Sequence, residues 1–171
     1  MSTPELTTPE DRLTAMGLML PAVAAPLAAY VPALRSGNYV YTSGQLPTVD
    51  GELVAVGKVG TGAGASVTPE QANAAARICA LNALAALRGV VGELSSVVRI
   101  VKVLGFVASA PDFTAQAQVI NGASEFLLEV FGTAGPGATP IGAHARSAIG
   151  VAVLPRDAPV EVELIAEVAP A

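Results

Sequence analysis

One cysteine and one histidine in 171 residues leave little for redox or metal chemistry. Cys79 cannot close an intrachain disulfide, and with His144 as its only companion the chain has no N/S metal-ligand set, so no metal and no other cofactor is expected. Cys79 lies in the run Ala74-Ala75-Ala76-Arg77-Ile78-Cys79-Ala80-Leu81, where a small buried hydrophobe is the natural reading. Charge is also scarce, at 13% of residues with a formal net charge of −5, and the nine Lys and Arg are dispersed. Affinity for nucleic acid rests on clustered basic residues facing phosphates, so no nucleic-acid partner is expected. The 52% hydrophobic content comes mainly from Ala and Val scattered among polar, Gly and Pro positions, and no membrane partner is expected. The opening Met1-Ser2-Thr3-Pro4-Glu5 has no basic segment ahead of an apolar core, which points away from a secretory signal and toward the cytoplasm. Few charges and 4% aromatics in so apolar a chain suggest that part of its surface is buried against other copies.

What is present reads as local structure. Thr8-Pro9-Glu10-Asp11 supplies an N-cap, a first-turn proline and first-turn acids, predicting a short helix from Pro9 to Met16 that Gly17 ends. Residues 18–27 read as an extended segment, so 1–27 form a tail, a short helix and that segment, and 28–171 form the main domain. Strands are predicted at Ala29–Leu34, Tyr39–Ser43 and Leu53–Val59, with turns at Ser36-Gly37-Asn38 and Asp50-Gly51. Thr68-Pro69-Glu70-Gln71 is a capping box opening a helix to Leu87, with Ala76, Cys79, Ala80, Ala83 and Leu87 on its packed face. Val97–Val107 reads as a central strand buried on both faces, Pro111–Phe131 as a helix with Asp112 in its first turn, and 132–142 as a loop. Strands at Ala145–Leu154 and Val160–Val168 complete the order, which predicts an α+β fold with a mixed sheet and helices on one face. The glycines of Gly57–Gly64 are read as a flexible connection, because Lys58 precedes them and no Gly-Lys-Ser/Thr opens a helix.

Two blocks carry a resemblance. Tyr39-Val40-Tyr41-Thr42-Ser43-Gly44-Gln45-Leu46-Pro47 and His144-Ala145-Arg146-Ser147-Ala148-Ile149-Gly150-Val151-Ala152-Val153-Leu154-Pro155, the latter followed by Val160-Glu161-Val162-Glu163, resemble the signatures of the Rid family of reactive intermediate deaminases. The family is also called YjgF or endoribonuclease L-PSP, and the likeness covers residues 28 to 168. It implies a chorismate-mutase-like fold, a homotrimer with clefts between subunits, and hydrolysis of small 2-imino or enamine acids to 2-oxo acids and ammonia. By the same resemblance Arg146 holds the substrate carboxylate and Glu161 orients water. Tyr30, Ser43, Gly44 and Asn121 match substrate-binding positions, while Ala148 stands where a cysteine is frequent. The loop before Arg146, the residues His144 and Gly150, and the stretch Gly57–Gly64 depart from the family's pattern.

The chemistry is intelligible in its own terms. A guanidinium fork can hold a planar carboxylate bidentately at any ordinary pH, the role assigned to Arg146. Hydrolysis then needs a positioned water and a proton acceptor, for which Glu161 suffices if burial raises its pKa. His144 is a third candidate, as an acid or base in the cleft. If the last two strands formed a simple hairpin, Glu161 would lie about 20 Å along the strand from Arg146. Either another strand separates them or the site joins two chains. Three functions stay open: an imine deaminase, a non-catalytic trimer that binds small carboxylates or regulates, and, last, an endoribonuclease.

Overall fold

The computed structural model describes residues 8–23, 29–132 and 138–170; the tail before Thr8, the end of the predicted extended segment and 133–137 of the predicted loop lie outside these. At the N-terminus the Thr8 hydroxyl accepts from the Asp11 N–H and the Asp11 carboxylate accepts from the Thr8 N–H, each at 3.1 Å. With Pro9 at the first position, this reciprocal cap starts α1 (Pro9–Ala15) as predicted. The helix is anchored through buried Leu13 and through Glu10, whose carboxylate accepts the Leu94 N–H at 2.7 Å.

A second reciprocal cap, Thr68 with Gln71, opens α2 (Pro69–Val91), and Gly92 at φ +85° closes it. Ala76, Cys79, Ala80, Ala83 and Leu87 are fully buried, as the spacing predicts. By length and composition α2 is apolar enough to cross a bilayer, but half of its most apolar window is buried inside the domain, against the sheet and the third helix. The Cys79 thiol lies 3.6 Å from the Val160 carbonyl, and burial pushes its pKa well up, which suits an inert core residue. The third helix, α3 (Gln116–Phe131), lies close on α2: a side chain at Gly122 would overlap the Asn73 backbone. It starts five residues later than predicted, because residues 111–114 form a turn in which Phe113 N–H bonds Ala110 and the Gln116 amide caps the Phe113 carbonyl at 2.7 Å. Asp112 is therefore outside the helix.

The five-stranded sheet has the order β1-β2-β7-β5-β6, with β1 (Ala33–Ser36), β2 (Tyr39–Thr42), β5 (Val97–Ala108), β6 (Ala145–Val151) and β7 (Val160–Val168). Only β5 and β6 run parallel. The fold is thus α+β, a mixed sheet with α2 and α3 on one face and α1 against α3. The first strand begins four residues later than predicted, and β6 ends at Val151, where Pro155 and the positive φ of Arg156 and Asp157 turn the chain back.

The predicted strand at Leu53–Val59 does not form. Instead β3 (Thr48–Val49) and β4 (Glu52–Leu53) make a small hairpin through Asp50 and Gly51, both at positive φ. Gly57, at φ +104°, then breaks any extended run. Nor is the glycine stretch free at its start: Gly57 N–H bonds the Asp157 carbonyl, and buried Val59 bonds Ala108 and Ala110 at the end of β5.

One sheet face, carrying Val40, Ile100, Val103, Val162 and Leu164, is buried under the helices. The other is open. It carries Leu34, Tyr39 and Tyr41, all exposed, beside half-buried Phe106, Ile165, Glu161 and Glu163. Strand β5 is accordingly buried on one face and partly exposed on the other, rather than buried on both as its composition predicts.

Candidate functional site

β5 lies between β6 and β7, which removes the simple hairpin. Arg146 pairs with Val103 and Glu161 with Phe106, so the two are separated by three residues along β5 and two strand spacings. That is about 14 Å between their Cα atoms. Side chains alternate faces, so Arg146, in register with buried Val103, points to the helix face, whereas Glu161, in register with Phe106, points to the open face. Within one chain the sequence-predicted site is therefore two sites.

The first is a clamp at the sheet edge. Arg146 projects from edge strand β6 under α3, where its Nη1 donates to Asn121 Oδ1 at 2.8 Å and to Ser124 Oγ at 3.1 Å. Among the described residues its Nε and Nη2 meet no hydrogen-bond acceptor, which leaves a donor edge for a ligand. His144 belongs to the same cluster, with Nε2 2.9 Å from Ser124 Oγ and Nδ1 2.7 Å from the Gly142 carbonyl oxygen. Burial lowers its pKa, the Gly142 carbonyl opposes that, and the charge of Arg146 adds to it. Ala148, two residues beyond Arg146 on the same face, packs against the core opposite Gly105.

The second site is on the open face. Burial raises the Glu161 pKa and the charge of Glu163 raises it further; Glu163 is itself raised by burial. Gly44 lies against Glu161 so closely that any side chain there would overlap the carboxylate, and the flanking Gln45–Val162 backbone pair, at 2.8 and 3.1 Å, fixes that approach. The Ser43 hydroxyl donates to the Val31 carbonyl at 2.6 Å, tying down the segment that carries exposed Tyr30. Tyr30, Ser43, Gly44 and Glu161 thus belong to one region, and Arg146, Asn121, His144 and Ala148 to the other.

A family model described as "YjgF/chorismate mutase-like, putative endoribonuclease" matches residues 10–168. The chain belongs to this family. Protein TCP17 of Trypanosoma cruzi is 45% identical over 156 residues, covering 91% of each chain. A crystal structure of an Agrobacterium tumefaciens protein of unknown function is similar at 40% identity and a TM-score of 0.80, over 95% of this chain and 94% of that one. A Shewanella oneidensis structure, also described as a putative endoribonuclease, is 36% identical with a TM-score of 0.86, over 95% and 100%. The YjgF relationship accounts for the fold.

Sequence reasoning missed Ser124, which bridges Arg146 and His144. Its signal was Asn121-x-x-Ser124, two short polar side chains three apart and so adjacent on one helix surface.

Proposed function

We propose that this YjgF-family protein is a hydrolase of small 2-imino or enamine acids, working as a homotrimer whose clefts join the Arg146 clamp of one subunit to Glu161 of the next. The observation that carries this reading is the division of the site: a guanidinium whose Nε–Nη2 edge meets no acceptor among the described residues lies on one face and a half-buried carboxylate of raised pKa on the other. Arg146 is on an edge strand, where a second chain can approach, and the open face offers Phe106, Tyr41 and Ile165 for burial. In the joined cleft Arg146 holds the carboxylate and Glu161 takes a proton from the water that attacks the imine carbon, expelling ammonia. An imine is already reactive, so positioning supplies most of the acceleration. Tyr30, Ser43 and Gly44 shape the wall around Glu161.

A second reading, a trimer that binds small carboxylates or regulates without turnover, is favoured by the completeness of the Arg146 clamp within one chain. An endoribonuclease ranks below both, since basic residues are dispersed and two of them, Arg77 and Arg156, pair with Glu129 and Glu52. The test is ammonia release from freshly generated 2-iminobutanoate or 2-aminoacrylate. Turnover that Glu161→Gln abolishes while 2-oxobutanoate affinity persists supports the hydrolase. No acceleration over the buffer leaves the binding trimer, and salt-sensitive RNA cleavage would overturn both.

A further inference from the structure

We propose that Ser124 and His144 form a positioning relay for Arg146: His144 holds the Ser124 hydroxyl as an acceptor toward Nη1, so that the guanidinium offers a carboxylate only its Nε–Nη2 edge. The inference rests on the reading of Arg146 as a carboxylate anchor and concerns how that anchor is oriented.

A guanidinium carries donors only, so Asn121 Oδ1 and Ser124 Oγ both accept, and between them they occupy the two hydrogens of Nη1. An end-on approach across Nη1 and Nη2 is therefore used up on one side. The remaining parallel pair is Nε–H and Nη2–H, which matches the two coplanar oxygens of a carboxylate approaching side-on. A 2-oxo or 2-imino acid held that way has its reactive carbon fixed in the guanidinium plane.

Ser124 has one hydrogen, and while Oγ accepts from Arg146 that hydrogen needs another acceptor. His144 Nε2, at 2.9 Å, is placed to take it, which requires Nε2 to be unprotonated. Nδ1 then carries the ring hydrogen and donates to the Gly142 carbonyl at 2.7 Å. The opposite tautomer would set an Nδ1 lone pair against that carbonyl oxygen at the same distance. Gly142 is itself fixed, since a side chain there would overlap the Leu127 backbone. The relay thus runs from Gly142, packed against the Leu127 backbone of α3, through His144 and Ser124 to Arg146 on β6. His144, the family departure that invites an acid/base role, is by this geometry separated from the ligand by both Ser124 and Arg146. Burial and the neighbouring Arg146 charge both favour the neutral ring that the relay needs.

His144 is the only histidine in the chain, so its imidazole nitrogens can be read directly by NMR. The expected result for the full-length protein at neutral pH is the Nδ1–H tautomer; an Nε2–H tautomer would overturn the relay whatever the ligand does. Calorimetry with 2-oxobutanoate supplies the second arm. Ser124→Ala and His144→Phe should each weaken binding on the order of five- to tenfold, and the double variant no further, because both cut one chain. Ser124→Thr and His144→Gln, which keep the hydroxyl and an acceptor, should restore most of the affinity, with unfolding midpoints near that of the parent protein. Additive losses, or full affinity in both single variants while Arg146→Ala binds poorly, would overturn the relay and leave the anchor standing. Undiminished binding by Arg146→Ala would remove the anchor and the relay together.

Discussion

The clamp under α3 and the open face of the sheet each hold a half-buried titratable side chain, and burial moves the two in opposite directions: His144 down, Glu161 up. The regions differ in closure. Around Arg146, both hydrogens of Nη1, the Ser124 hydroxyl and both His144 nitrogens have partners within one chain. Around Glu161, two carboxylates are both raised by burial, Glu161 further by the charge of Glu163, among exposed tyrosines and an exposed leucine. A polar network that closes on itself is ready to bind, whereas partly desolvated carboxylates on an apolar sheet face suit a surface that another chain completes.

The largest effect should come from breaking the open face alone. Phe106, in register with Glu161 on one side and Ile149 on the other, lies at its centre. Phe106→Asp would place a charge in the proposed interface, where burying an unpaired charge costs several kcal/mol. Light scattering should then report monomers in place of oligomers, and ammonia release should fall to background. Binding of 2-oxobutanoate should persist within about threefold, since the clamp needs no second chain. A parent protein that is already monomeric would break the comparison at its root, and a monomeric variant that still turns over would remove the interfacial site.

Next in size is the clamp. Arg146→Ala should weaken 2-oxobutanoate binding by about 1.5 to 3 kcal/mol, and Arg146→Lys nearly as much, because lysine keeps the charge and loses the fork. Both variants should fold and assemble, which analytical ultracentrifugation can check. Full affinity in Arg146→Lys would mean that charge alone does the binding.

These expectations rest on a site that the sequence makes legible only in part. The capping boxes at Thr8 and Thr68 and the buried stripe of α2 follow from local chemistry, so their positions agree with the reading to within a few residues. The start of α3 does not, because its end is set by the Gln116 side chain turning back on Phe113, an arrangement that no preferred capping residue announces. The strand expected over Leu53–Val59 fails at Gly57, whose positive φ is set by a tertiary bond to Asp157 a hundred residues away. Motif likeness finds Arg146, Asn121 and Glu161 but cannot tell that they divide between two faces. That division depends on β5 inserting between β6 and β7, a long-range pairing that residue spacing does not encode. Ser124 escapes notice for the same reason, since its role exists only once α3 lies over β6.

The smallest effect, and the most direct measure of the contrast, is the pH dependence of stability. The His144 pKa in the folded chain lies below its ordinary 6.5, so between the two values the unfolded chain binds more protons. Its contribution is fully present above pH 6.5 and is lost as pH falls through that window. Glu161 and Glu163 lie above their ordinary 4.5, so the folded chain holds more protons between 4.5 and the raised values. Their contribution has the opposite slope, greatest at acid pH and lost as pH rises through that window. Denaturant midpoints measured from pH 7.5 to 4 at one fixed protein concentration contain both slopes on a background from all other carboxylates, so the informative quantity is variant minus parent. His144→Gln removes a group that must charge to unfold in mild acid, and should therefore lose less stability than the parent as pH drops below 6.5. Glu163→Gln removes a group whose protonation favours the fold, and should gain less than the parent over the acid window. If both differences had the same sign, the two regions would not be opposed electrostatically, and the division of the site between a finished clamp and an unfinished face would lose its physical basis.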